Sequence, residues 1–352
     1  MSGKVTRRDF LRMAAAATSL PALLAACSRA EGEKAVNFFN WSAYIGKETL
    51  PRFTRETGVK VNYDVFADEE EMFAKLRSGA RGYDIIVGTD HMIPRFKALN
   101  IIDPIPPGVL KNIGNIEPRF KNPIYDPNLE FTVPYLWGTT GIGYNKTKIP
   151  RPTSWTDLWD EKYAGKISML DNARDCVGVA LMLKGLKQDT KNPADFNAAR
   201  DWLIKQRPLV KHYSSSTYTD GLVSGELVMA MAWSGDIMQL ARENPAIDYV
   251  IPKEGSYIWV DSLCLTRGSE HRADTLRLAD YLLQKDVAAE IANTVRYATP
   301  NGAAKELLDG ALLKDPRVFP PLDVMKRLRF HEALDSEASE LWNQAWSDVK
   351  VT

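Results

Sequence analysis

The sequence predicts an α/β protein of two lobes joined by two long extended crossings, with a ligand cleft between the lobes. Three observations predict it. Residues 35–88 alternate extended and helical segments in the order β-α-β-α-β, the pattern of a parallel sheet with right-handed crossovers. Two long apolar stretches, 131–146 and 248–266, lie far apart in the chain, and each suits a passage from one lobe to the other. Of the 352 residues, the 326 that follow the N-terminal segment 1–26 exceed what one hydrophobic core usually serves.

The segment 1–26 has the form of an export signal. Lys4, Arg7, Arg8 and Arg12 precede an apolar run from Met13 to Ala26, broken by Pro21 and too short to span a bilayer. Arg7-Arg8 followed by Phe10-Leu11 resembles a twin-arginine signal. Leu24-Ala25-Ala26-Cys27 resembles a bacterial lipobox, which implies a lipid anchor on Cys27 and a periplasmic or cell-surface location. Without residues 1–26 the chain holds 41 basic and 44 acidic residues in place of 45 of each. That mild acidity, with no basic patch, argues against nucleic acid as a partner. Cys176 and Cys264 either pair or stay as buried thiols, since a chain this long needs no disulfide to build a core.

Along the first lobe, 35–40 is a strand. A helix from Thr49 to Thr57 stops at Gly58, 59–66 is a second strand, a helix from about Asp68 to Ser78 follows, and 83–88 is a short buried strand. Binding in such sheets is expected at the carboxyl ends of strands, which places Trp41–Tyr44 and Thr89–His91 at the candidate site. The stretch 131–146 is extended and glycine-rich. Ser154 is expected to cap a helix that carries Trp155, Leu158 and Trp159 into the core and stops at Gly165. Helices are expected near 175–187 and 193–206, a buried strand ending in a polar turn at 225–236, an extended return at 248–266, and helices near 273–284, 286–295 and 321–348. No internal repeat or low-complexity linker marks a boundary.

Within the return crossing, Trp259 and Asp261 stand two residues apart on a strand and therefore face the same side. A buried unpaired carboxylate is costly, so the pair makes more sense on a cleft wall than in a core. Its natural guest is a cation with an apolar stem, with the charge on Asp261 and the methylenes against the indole.

The segments "NWSAYI", "VPYLWGTTGIGYN", "SWTDLW", "AWSGD", "IWVDSL" and "YATPN", in that order, resemble the spermidine/putrescine-binding proteins among the extracytoplasmic solute-binding proteins of ABC importers. The resemblance runs from about residue 37 to 345. It implies a type II periplasmic-binding-protein fold, an amine held between the lobes, permease subunits as partners, a monomer, no cofactor and no catalysis. The lobes are then 35–137 plus 260–305 and 138–259 plus 306–352. By position, Trp41 and Tyr44 match a first-lobe aromatic wall, Trp233 and Trp259 match stacking residues, and Asp261 matches the carboxylate that holds a terminal ammonium. Tyr297 matches a ligand-contacting tyrosine, Asp236 the acidic position of putrescine-type members, and Asp175 an acid at the far end of the cleft.

Some positions depart from that pattern. Thr89-Asp90-His91-Met92 stands where spermidine binders tend to show Ser-Thr-Tyr-Tyr, Asn172 replaces an acid, and His331 replaces a glutamine. Asp90 is expected to add an acid near the one that Asn172 loses. Asp236 is expected either in the site or as the cap of a helix beginning near Ile237, and His91 either at the ligand or on the surface. Other organic cations, such as agmatine or an opine-like or thiamine-like amine, remain open. An exported enzyme is the alternative of another class, but the chain has no Gly-x-Ser-x-Gly, no His-Glu-x-x-His and no phosphate loop with its lysine. A ferric-ion binder would want an adjacent tyrosine pair, and an oxyanion binder would turn arginine and helix N-termini to the cleft.

Overall fold

The computed structural model describes residues 35–79, 82–332 and 334–351, so the export segment and Cys27 lie outside the described residues. Strands β1 (Ala35–Trp41), β2 (Lys60–Phe66) and β3 (Ile85–Thr89) run parallel in the order β2-β1-β3, as the alternating pattern predicts. They are linked by α1 (Thr49–Thr57) and α2 (Glu69–Arg77). Gly58, at φ 73°, closes α1 in the left-handed region that an L side chain avoids, and the Asp68 carboxylate caps α2 by accepting the Glu71 N–H. Helix α3 (Ile93–Ala98) and the short β4 (Ile102–Asp103) lead to β5 (Thr132–Asn145), which is buried along its whole length.

The chain then builds a second sheet. β6 (Ile167–Met169), α4 (Ala173–Leu183), α5 (Pro193–Gln206), β7 (Val210–Tyr213), α6 (Tyr218–Ser224), β8 (Met229–Trp233), α7 (Ser234–Glu243) and β9 (Ile247–Val250) follow in turn. β10 (Ser256–Thr266) returns, and α8 (Arg272–Leu282), α9 (Lys285–Val295), β11 (Leu328–Phe330) and α10 (Ser336–Val351) complete the fold. The helices divide by what their apolar faces meet. Tyr281 of α8 packs on Phe53 beside the first sheet, whereas Trp342 and Trp346 of α10 pack on Phe196 and Tyr213 beside the second.

The strand order β2-β1-β3-β10-β5-β8-β6-β7 puts β5 and β10 in the middle, antiparallel to each other. β5 pairs with β10 at its start and with β8 and β9 at its end. β10 begins beside β11 and ends between β5, β3 and β4. β5 therefore belongs to the first sheet at its start and to the second at its end, while β10 runs antiparallel beside it and pairs with β11, β3 and β4 on the side of the first sheet. The β5–β10 register slips at Tyr135, where Asp261 faces Leu136 and Ser262 faces Pro134. Proline has no N–H to give a ladder, so a central strand tolerates it at such a bulge.

Four expectations change. Residues 155–163 form 3₁₀ turns in place of an α-helix, although Ser154 does cap them in a capping box with Asp157; Trp155 is buried and Trp159 half-buried. The return stretch is two strands, β9 and β10, parted by a turn that ends at Gly255. The expected helix at 321–348 is a single turn, then β11, then α10. The strand ending near 236 gives way to α7 already at Ser234, so the polar turn is the first turn of a helix. Cys176 and Cys264 are buried free thiols, which decides between the two readings of that pair. Among the described residues, no helix is long and apolar enough to cross a membrane.

Candidate functional site

The carboxyl ends of β1, β3 and β8 open on one cavity of about 280 Å³, at the small end of the range for ligand pockets. Trp41 and Tyr44 leave β1 through a turn in which Ala43 takes φ 53°, a left-handed conformation costly for a residue with a side chain. Trp233 ends β8, Asp236 and Asp175 sit in the first turns of α7 and α4, and Tyr297 and His331 follow α9 and β11. Trp259 and Asp261 come from β10 itself. Together with His91, these ten residues line the cavity.

Asp90 is the expected site residue that does not. Its carboxylate turns away and accepts the Val260 and His91 backbone N–H groups at 3.1 and 2.7 Å, so it fixes β10 against β3 and does not make up for Asn172 at the wall.

One end of the cavity is built from two carboxylates and three phenols. Asp261, 4 % exposed, accepts the Tyr44 and Thr89 hydroxyls at 2.8 Å each. Asp236 accepts the Tyr218 and Tyr297 hydroxyls at 2.5 and 2.6 Å, and no cap bond to α7 is made by it. The rings of Tyr44 and Tyr297 meet edge to face at 5.0 Å, so the two carboxylates face each other across one aromatic contact. Burial pushes the Asp261 carboxyl up to about 7, against the hydrogen bonds from Thr89 and Tyr44 that favour its charge. Burial likewise raises Asp236, with its two phenols pulling the other way.

The walls are indoles. Trp41 and Trp233 approach edge to face at 5.8 Å, and Trp259 lies 5.4 Å from Tyr297. Two glycines make room for this packing. A Cβ on Gly138 would stand 2.6 Å from the Trp259 ring, and one on Gly235 would stand 2.3 Å from Tyr297. The indole N–H groups of Trp41 and Trp259 are buried and find no partner among the described residues.

At the far end, Asp175 accepts the Thr140 hydroxyl at 2.7 Å and the Trp233 indole N–H at 3.3 Å, and lies 3.5 Å from His331 Nε2. Burial works to raise its carboxyl, but the bonds from His331, Thr140 and Trp233 outweigh it and hold the group below the usual carboxylate range. His331 is pushed down to about 4 and His91 is also lowered, in both cases by burial first, so both imidazoles are neutral at pH 7. Their rings meet edge to face at 5.6 Å.

Sequence reasoning missed Glu69, Arg174 and Tyr218. Glu69 belongs to the acidic run 68–71, which reads as helix capping, yet it lines the cavity beside His91. Arg174 also lines the cavity. Its guanidinium lies 4.6 Å over Trp342 and donates to the Glu332 carbonyl; burial lowers it to about 10, with Tyr257, Asp90 and Asp175 pulling the other way. Among the described residues, no cluster suited to a metal ion occurs.

A two-lobed fold with a small, acid-ended, aromatic-walled cavity on its connecting strands is the architecture of a solute-binding protein. Residues 49–320 match the family model described as bacterial extracellular solute-binding protein, and the chain belongs to that family. It is 32% identical over 333 residues to the spermidine/putrescine-binding periplasmic protein of Escherichia coli, covering 94% of this chain and 95% of that one. It is 31% identical over 347 residues to a putrescine/agmatine-binding protein of Pseudomonas aeruginosa, covering 93% and 95%. The spermidine/putrescine ABC transporter substrate-binding protein of Streptococcus pneumoniae superposes with a TM-score of 0.79 at 30% identity, over 90% of this chain and 99% of that one.

Proposed function

We propose that this chain captures a diamine or polyamine between its lobes and delivers it to the permease subunits of an ABC importer, without chemistry on the ligand. The observation that carries the reading is the pair of buried carboxylates, Asp261 and Asp236, each held by two hydroxyls under a wall of indoles. A carboxylate in that setting needs a cation, and an ammonium supplies both charge and donors. Indole faces attract nearby cations at roughly 0.5 to 2 kcal/mol per contact and cover the methylenes between them. The names of the relatives support the same ligand class. We read the lobes as 35–137 plus 260–305 and 138–259 plus 306–352, acting as a monomer exported through the signal at 1–26 and anchored at Cys27 on the periplasmic or cell-surface side. A thermal-shift screen of the soluble chain from Ala30 tests the ligand class, with diamines, polyamines, agmatine, opine-like and thiamine-like amines, sugars, oxyanions and ferric ion as arms. A ligand at 100 times its Kd adds about 2.7 kcal/mol of stability. Stabilisation by sugars or oxyanions and by no amine would overturn the proposal.

A further inference from the structure

Glu69 opens α2, is 7 % exposed and lines the cavity. Thr89 ties it to the opposite end of the cleft. The Thr89 backbone N–H donates to Glu69 Oε1 at 2.9 Å, while the Thr89 hydroxyl donates to Asp261 Oδ1 at 2.8 Å. The two carboxylates are thus no farther apart than two hydrogen bonds and the span of one residue. Two ammonium groups on a four-carbon chain, roughly 6 Å apart when extended, fit within that reach.

The other groups at the far end leave this part to Glu69. Asp175 already serves Thr140, Trp233 and His331. Asn172 carries no charge and caps α4 by accepting the Asp175 N–H at 3.1 Å. Arg174, which donates to the Glu332 carbonyl, is itself a cation with donors only and offers an ammonium no anchor. Glu69 Oε2 instead has the His91 imidazole 3.4 Å away, a ring that burial keeps neutral. Burial also raises the Glu69 carboxyl to about 7, with His91 and the Thr89 N–H pulling it down, so this group is poised to ionise when a cation arrives.

We propose that Glu69 anchors a second ammonium, so that the ligand is a linear amine with two cationic ends, one between Asp261 and Asp236 and one at Glu69. This rests on the amine reading above and adds to it the far anchor and the requirement for two charges. The test is calorimetry on the full-length protein with 1,4-diaminobutane and 4-amino-1-butanol, which share a chain and differ in the second charge. Wild type should prefer the diamine at least tenfold. Glu69→Gln, which keeps an acceptor for the Thr89 N–H but loses the charge, should reduce that preference at least tenfold. Glu69→Asp keeps the charge on a stem shorter by one methylene and should move the preference toward 1,5-diaminopentane. Because each preference is a ratio within one protein, a partly unfolded sample does not mimic the effect. An unchanged diamine preference in Glu69→Gln, or equal losses for both ligands, would overturn this assignment alone. Wild type binding neither amine would overturn this assignment, and the amine reading would fall with it only where the thermal-shift screen also finds no amine that binds.

Discussion

Replacing Asp261 by Asn keeps its size and one acceptor oxygen and removes its charge. In the bound protein this strands an ammonium in a site where the wild-type carboxylate is 4 % exposed and already oriented by Tyr44 and Thr89. Truncating one partner of a buried charge pair costs about 2 to 5 kcal/mol, which is roughly 30-fold to several thousand-fold in affinity. In the empty protein the sign reverses. The Asp261 carboxyl, raised to about 7 by burial, lies above its unfolded value of roughly 3.9. Ionisation therefore destabilises the empty fold progressively as pH rises through that window, and Asn removes the penalty. The empty Asp261→Asn protein should melt at or above the wild-type temperature at pH 8 while binding its amine far more weakly. Binding to wild type should also weaken as pH falls below about 7, because the carboxyl must release a proton to meet the cation, and the Asn variant should lose that part of the pH dependence. Trp259→Phe keeps an aromatic face and should cost only about 1 kcal/mol, or roughly fivefold. Calorimetry and melting curves on these two variants decide the matter. Amine binding by Asp261→Asn as tight as wild type would refute the anchor, and a markedly lower melting temperature of the empty variant would make Asp261 a structural group.

If the lobes close about β5 and β10, small-angle scattering should give a smaller radius of gyration with saturating amine than without it, and an identical profile would mean that the cleft does not move. Cys27→Ser should abolish lipidation and detergent partitioning, and Arg7→Lys with Arg8→Lys should block export by the twin-arginine route; unmodified wild type in the aqueous phase would refute the anchor.

The fold was legible in the sequence where periodicity and punctuation agree. Phe53 and Gly58 define α1, and the alternation from 35 to 88 gives the parallel order of the first three strands. It was less legible where helical spacing coincides with tighter turns: Trp155, Leu158 and Trp159 satisfy a 3₁₀ turn as well as an α-helix, and only tertiary packing selects between them. In the site, aromatic and acidic residues at strand ends were legible because strand geometry fixes the side they face. Asp90 was not, since a three-residue turn rotates its carboxylate onto the Val260 N–H. Glu69 was hidden by an acidic run whose local role, opening a helix, is a sufficient explanation on its own. Nothing in the linear order sets Glu69 beside His91.

The position of Trp259 and Asp261 on β10, paired along its middle with β5, the strand that passes from one sheet to the other, has a mechanical consequence. Rotation about a pair of connecting strands displaces atoms in proportion to their distance from the axle, so groups on β10 hardly move. The half-buried indoles of Trp41 and Trp233, carried by opposite sheets, sit on longer lever arms. A pull that separates the lobes would part those indoles well before it disturbs the Asp261 carboxylate. Release would then proceed by peeling, with the outer end of the ligand exposed to water while its inner end is still held.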